Sequence, residues 1–254
     1  MIAIIRKRGL LWPTLATLAG LALLISLGNW QMRRLAWKQH LTENITERVH
    51  RDPLPVEAVD AAAARGDDIE YTRVSAQGQW LHDREMHLYA LDASYGPGFY
   101  IITPLKLADG SVLLVNRGFV PNELKDAGRR AEGLVAGDVR VVGLVRGPEA
   151  HGAFVPPNEL KRNIWYWRDI AAMGAEAAGG TDGGAAQVHA FFVDAEKDPV
   201  PPGGWPIGGT TRLELPNRHL EYALTWYGLA ATLVGVFAAF AVARWRRKGA
   251  DANT

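Results

Sequence analysis

The chain has 254 residues, a formal net charge of +1 and no cysteine. Without thiols it has no CxxC redox centre, no thiolate copper relay and no covalent CxxCH heme attachment, and a chain of this length buries a core without disulfides. The small total charge conceals a division: residues 29–221 carry 21 Lys/Arg against 26 Asp/Glu, a net of −5, which argues against a nucleic-acid partner, since that role wants a basic face.

Residues 1–8 form a basic tail ending in Arg6, Lys7 and Arg8, and residues 9–28 follow with 20 positions free of charge. A basic start and an apolar core also mark secretory signals, and Thr17 with Ala19 resembles a cleavage site. Here the apolar run continues on to Gly28, longer than a signal core, which predicts an uncleaved transmembrane helix. Trp12 and Trp30 mark its two interfaces, and Pro13 falls in the first turn, where a missing N–H costs little. The span begins at residue 9, which leaves no room for a transit peptide, so a bacterial inner membrane is expected rather than a mitochondrial one.

Beyond it, residues 30–51 read as a polar continuation of the helix, with Glu47 and Arg51 at i,i+4, closed by Asp52-Pro53-Leu54-Pro55. Alternating apolar runs then predict strands over 71–80, 85–91, 98–107, 111–120, 139–146 and 188–193. Hairpin turns are expected at 81–84 and 108–110. The fold class that follows is an α+β membrane protein in which two transmembrane helices flank a mainly antiparallel β-sheet or small barrel over 29–221. Residues 169–178 are helix-like, 174–186 read as a mobile Gly/Ala-rich loop, and 199–209 as a Pro/Gly linker returning to the membrane.

The second span, 222–243, has 22 residues without a charge and meets Arg244, Arg246, Arg247 and Lys248 in the tail 244–254. Seven basic residues lie in the two tails, against five (Arg33, Arg34, Lys38, Arg212, Arg218) on the flanks of the loop. This bias predicts both termini in the cytoplasm and the large domain in the periplasm. Gly228, Ala231, Gly235 and Ala239 share one face of the second helix and are expected to pack on Ala16, Ala19 and Gly20, since close backbone approach drives helix pairing in lipid.

No G-x-S-x-G, H-E-x-x-H, P-loop or G-x-G-x-x-G occurs, so no enzymatic activity is expected. His82 and His87 read as exposed polar positions, His40 and His50 fall on different helix faces, and His151 and His189 have no evident partner. Asn116-Arg117-Gly118 closes an apolar strand and reads as a bulge or turn, with Arg117 paired to a carboxylate. Trp165, Tyr166 and Trp167 cluster between Asn163 and Asp169. Core packing is the default for Trp165, and a protein- or heme-facing patch is the sharper reading. His219 lies one helical turn before the second apolar run. There it is either an interfacial polar residue or a metal or heme ligand.

Four ordered segments together carry a resemblance. They are Leu27-Gly28-Asn29-Trp30-Gln31 with Arg34, Trp37 and Lys38, and Val115-Asn116-Arg117-Gly118-Phe119-Val120-Pro121. The others are Asn163-Ile164-Trp165-Tyr166 with Asp169, and Asn217-Arg218-His219-Leu220 with Tyr222-Ala223 and Thr225-Trp226-Tyr227. The sequence resembles the Surfeit locus protein 1 family, the assembly factors of heme-copper cytochrome c oxidase, with Phe119 where that family more often has tryptophan. The resemblance implies a membrane protein that handles heme a as a transiently bound cargo during maturation of oxidase subunit I. Heme a synthase would be a further partner. It implies His219 as heme-iron ligand, with Tyr222 and Trp226 beside it at the lipid interface, and the other ring nitrogen in need of an acceptor. Arg117, Trp165, Tyr166 and Asp169 stand as partner-contact candidates. A scaffold that stabilises a subunit I intermediate without touching heme is the alternative.

Overall fold

The structure is a computed structural model that describes residues 9–179, 186–213 and 216–250. Its chain divides into two compact units, one holding the two long helices and the other Ile45–Leu213.

In the first unit, helix α1 runs unbroken over Leu11–His50 and a second long helix covers His219–Ala250. Both are long and apolar enough to cross a membrane, and protein buries only 6% of their apolar windows. The two run antiparallel. A Cβ on Gly20 would lie 3.1 Å from Leu233, and one on Gly28 would lie 2.5 Å from the Tyr227 ring. The sheltered stripe on α1 is Thr17, Gly20, Leu24, Gly28, Gln31 and Leu35. Its counterpart is Ala223, Tyr227, Ala230, Leu233 and Phe237, both at the three- and four-residue steps of one helix face.

The expected Gly228–Ala239 stripe is not the contact. Gly228 and Gly235 meet nothing within 4 Å, and Ala231 and Ala239 are exposed. Ala223 and Ala230 supply the close approach instead, while Tyr227 lies over Gly28 with its hydroxyl donating to Asn29 Oδ1 at 2.8 Å. A side chain at position 28 must displace that ring. We expect Gly28→Leu to lower the melting temperature of the detergent-solubilised protein and Gly235→Leu to leave it unchanged. Equal melting of the two variants would refute this pairing.

The second unit is built on an eight-stranded sheet: β1 (Leu54–Pro55), β2 (Arg73–Trp80), β3 (Met86–Asp92), β4 (Gly96–Leu107), β5 (Val112–Pro121), β6 (Asp138–Arg146), β7 (Ile164–Trp165) and β8 (Val188–Ala195). Five of them close into a barrel in the order β2-β6-β8-β5-β4, with β4 returning to β2. All barrel pairs are antiparallel except β5 with β8. Strand β4 serves two neighbours on one edge. Residues 96–102 pair with β3, and 105–107 close the barrel against β2.

Period-two alternation separates the cores. Leu113, Val115, Phe191 and Val193 point inward with Val74, Leu105, Val141 and Val145. Their neighbours Leu114 and Phe192 point outward, under a cluster with Met86, Ile102, Trp165 and Met173. Strand β5 is thus covered on both faces, which is why its sequence reads as a continuous apolar run. Helix α2 (Val56–Ala64) brings Val56 and Val59 to the inner core, and α3 (Ile170–Ala178) brings Met173 and Ala177 to the outer one.

The six expected strands are present within a few residues of their predicted ends. Helix α2 and the two-residue strands β1 and β7 were not anticipated, being too short to show a period. Residues 174–178, read as mobile loop, form the last turns of α3, whose start is held by Asp169 Oδ1 accepting from the Ala172 N–H at 3.0 Å. Residues 180–185 lie outside the described set. Part of the Pro/Gly segment packs as a wall of the domain: Ile207 exchanges two backbone hydrogen bonds with Phe119. Gly118, at φ 128°, is required there because any Cβ would strike the Ile207 carbonyl.

Candidate functional site

His219 opens the second long helix, which is α4 in chain order. Its Nδ1–H donates to Gln31 Oε1 on α1 at 2.7 Å. A carbonyl oxygen only accepts, so this bond requires a proton on Nδ1, and Nε2 is the ring nitrogen left for a ligand role. Nε2 makes no hydrogen bond among the described residues. Gln31 is itself 8% exposed, one turn from the Asn29–Tyr227 bond, and the Lys38 ammonium reaches the Pro216 carbonyl just beyond. Three polar cross-links therefore hold the ends of the helix pair in register around a half-buried imidazole. Trp226 is half-buried and Tyr222 exposed on the same helix, leaving apolar surface beside the ring. Such an imidazole, its tautomer set by an acceptor on another element, is the arrangement a metal-ligating histidine requires.

Gln31 carries the one role that sequence reading did not assign. The signal was an amide three residues past an apolar run, but only the structure shows it facing position 219. Glu221, the nearest acidic residue in sequence, pairs instead with Arg218 at 2.9 Å.

The remaining candidates lie in the sheet unit. Arg117 is 8% exposed and sits in a bulge of β5, where Ile102 and Tyr100 of β4 face Asn116 and Phe119. The expected carboxylate partner is absent: among the described residues its Nη2 donates to the Gly133 carbonyl at 2.6 Å and its guanidinium lies 5.0 Å from the Trp80 ring. Burial pushes this guanidinium down to about 10, and neighbouring Arg130 acts in the same sense. Trp165 lies in the outer core at 1% exposure, with its indole N–H on Asn163 Oδ1. Tyr166 donates to Glu159 Oε1 at 2.8 Å, and Asp169 caps α3. The motif thus folds as a core plug, a surface bond and a cap.

His82 and His87 are half-buried rather than exposed. His82 Nε2 meets the Val135 carbonyl and His87 Nε2 meets Glu85 Oε1, each at 3.0 Å. Buried Glu85 also receives Arg130. Burial alone would raise this carboxyl, but its bonds from His87 and Arg130 outweigh that and hold it below the usual range.

His189 is buried between Asp60 Oδ2 at 2.9 Å and Ser111 Oγ at 3.0 Å. This serine–histidine–carboxylate order matches a hydrolytic triad in identity only. Ser111 is buried, and its hydroxyl donates to Asp109 Oδ1 at 2.6 Å, so a second carboxylate opposes any alkoxide. The set ties α2 and β8 to the start of β5.

The model of the SURF1 family matches residues 18–231, the stretch that contains Gln31, the whole sheet and His219. The chain belongs to the SURF1 family. Among its SURF1-family relatives, a SURF1-like protein of Monosiga brevicollis is 36% identical over 97% of this chain and 91% of its own. Surfeit locus protein 1 of Rattus norvegicus is 38% identical, covering 81% of this chain and 68% of the relative. The Homo sapiens protein of that name is 36% identical over 81% of this chain and 69% of its own. Family membership and the two long apolar helices together point to a membrane protein.

Proposed function

We propose that this SURF1-family protein assists assembly of heme-copper cytochrome c oxidase by holding heme a at the end of its helix pair and passing it to subunit I. The observation that carries this reading is the Gln31–His219 hydrogen bond, which engages Nδ1 and leaves Nε2 as the ring nitrogen available to iron. An amphiphilic cargo suits the position. Apolar flanks of α1 and α4 accept its hydrocarbon, while Arg34 and Lys38, on α1 within about two turns of Gln31, offer charge to its acidic groups. The antiparallel pairing puts residues 28–31 beside 219–227 and Gly20 beside Leu233, and the basic residues that flank the two spans in sequence support cytoplasmic termini. Holding and release involve no bond chemistry on the cargo, so the role is that of a chaperone.

The test is pigment. Protein purified from heme a-producing cells should carry a Soret band and yield heme a on extraction. Colourless protein that still co-purifies with subunit I would overturn heme handling and leave a scaffold.

A further inference from the structure

A cavity of about 430 Å³ opens on the sheet unit between the barrel and the 196–208 segment, and Arg117 forms part of its wall. Most of the surrounding wall is apolar: Trp80, Val135, Val139, Val141, Val200 and Pro206. Its volume lies within the range of small-molecule sites.

The charge in that wall is uncompensated. Taking a guanidinium out of water is costly unless a carboxylate accompanies it. Arg117 is 8% exposed, yet its contacts are a neutral carbonyl and an indole face. The carboxylate that acts on it electrostatically is Glu85, which is already shared by Arg130 and His87. Two buried guanidiniums thus divide one carboxylate. Nη1 of Arg117 is buried and makes no hydrogen bond among the described residues, so both of its hydrogens are unspent. Other ions of the wall do not supply the balance. Glu196 is held by Arg73 through two bonds of 2.6 and 2.9 Å, Arg140 donates to Ser75, and Lys197 and Asp198 are exposed.

We infer that this cavity binds a small apolar molecule ending in a single carboxylate, its body against Trp80 and the valines and its anionic head on Arg117. A neutral ligand of the same shape would leave the guanidinium unpaired. A dianion would bring a second charge into an apolar wall. The site is independent of His219 and of heme.

Water-soluble 4-phenylbutyrate and its uncharged amide are suitable probes, measured by equilibrium dialysis on the full-length protein in lipid nanodiscs. Saturable binding of the acid is expected, with the amide at least tenfold weaker. Arg117→Gln should abolish that preference, reducing acid binding at least tenfold. Val135→Phe, which fills the cavity and leaves the charge in place, should weaken acid and amide alike. Absence of saturable acid binding to wild type, or equal binding of acid and amide, overturns the proposal. Should Arg117→Gln fail to fold, the acid–amide comparison and Val135→Phe decide alone: undiminished acid binding to the filled cavity also overturns it.

Discussion

Replacing His219 with alanine is expected to abolish the heme a spectrum of the purified protein while leaving membrane insertion intact. A half-buried imidazole at the first residue of α4 contributes little to an apolar span, so the helix still forms. Its imidazole is the one held between the two helices, by Gln31, whereas His40 and His50 lie further along α1. Gln31→Ala provides the sharper comparison, because it keeps the ligand and removes only what orients it. Loss of an acceptor behind a metal-bound histidine costs about 10–100-fold in affinity. This variant should therefore retain a Soret band that bleaches on dilution or on competition with free imidazole, and Gln31→Glu should restore retention. Substitution of His82 or His87, whose bonds lie within the sheet unit, should change neither spectrum. A His219→Ala protein that stays pigmented would sink the assignment.

The largest stability effect is expected at Asp194. This carboxylate is 2% exposed at the centre of the domain. Its Oδ1 accepts from Asn116 and from Arg168, each at 3.0 Å. Its Oδ2 accepts from Thr211 at 2.8 Å and from Arg146 at 3.4 Å. Asp194→Ala leaves buried Arg168 with only Glu149, at 3.8 Å, while Arg146 keeps Glu70, and breaking a buried pair from one side costs about 3–5 kcal/mol. That is a large share of the stability of an ordinary domain. Arg73→Gln breaks a half-exposed pair with Glu196 and should cost under about 1 kcal/mol. Urea midpoints of the two variants in the same detergent measure the difference. A shift for Asp194→Ala no larger than that for Arg73→Gln would show that the network is dispensable.

The hub also shows what a sequence reveals and what it hides. Strands β2 and β3 were legible because each alternates between a core and another face, as in Arg73–Trp80, and β5 because it is a continuous apolar run between turn residues. The neighbours of β8 were not, since nothing in Val188–Ala195 tells that it enters between β5 and β6. Arg117 was singled out, but its missing carboxylate is a fact about distant chain segments. Histidines 82 and 87 read as exposed and 189 as unpartnered because their partners are a loop carbonyl, a carboxylate and a residue on α2. Helix pairing was misread for a different reason. In a span exposed to lipid all faces are apolar, so periodicity does not mark the side that meets another helix. The face is set by where Tyr227 and Gly28 fit. His219 was visible as a lone imidazole at a span end, and Gln31 as a residue of the recurring set, but only geometry joins them.

The position of β8 has a consequence for biogenesis. It is the last strand of the barrel to be synthesised, yet it sits in the middle of the sheet, hydrogen-bonded to β5 on one side and β6 on the other. Until residues 188–195 have been synthesised, those two strands present bare edges, of the kind that pair with other chains. Local hairpins can form as the polypeptide emerges, but the closed cylinder waits for a long-range insertion, a slow class of folding step. Completion thus falls close in time to the arrival of the second span, which begins a few dozen residues later. A chain cut short anywhere before Val188 would be left with an open and adhesive sheet, so the layout couples folding of the sheet domain to synthesis of nearly the entire polypeptide.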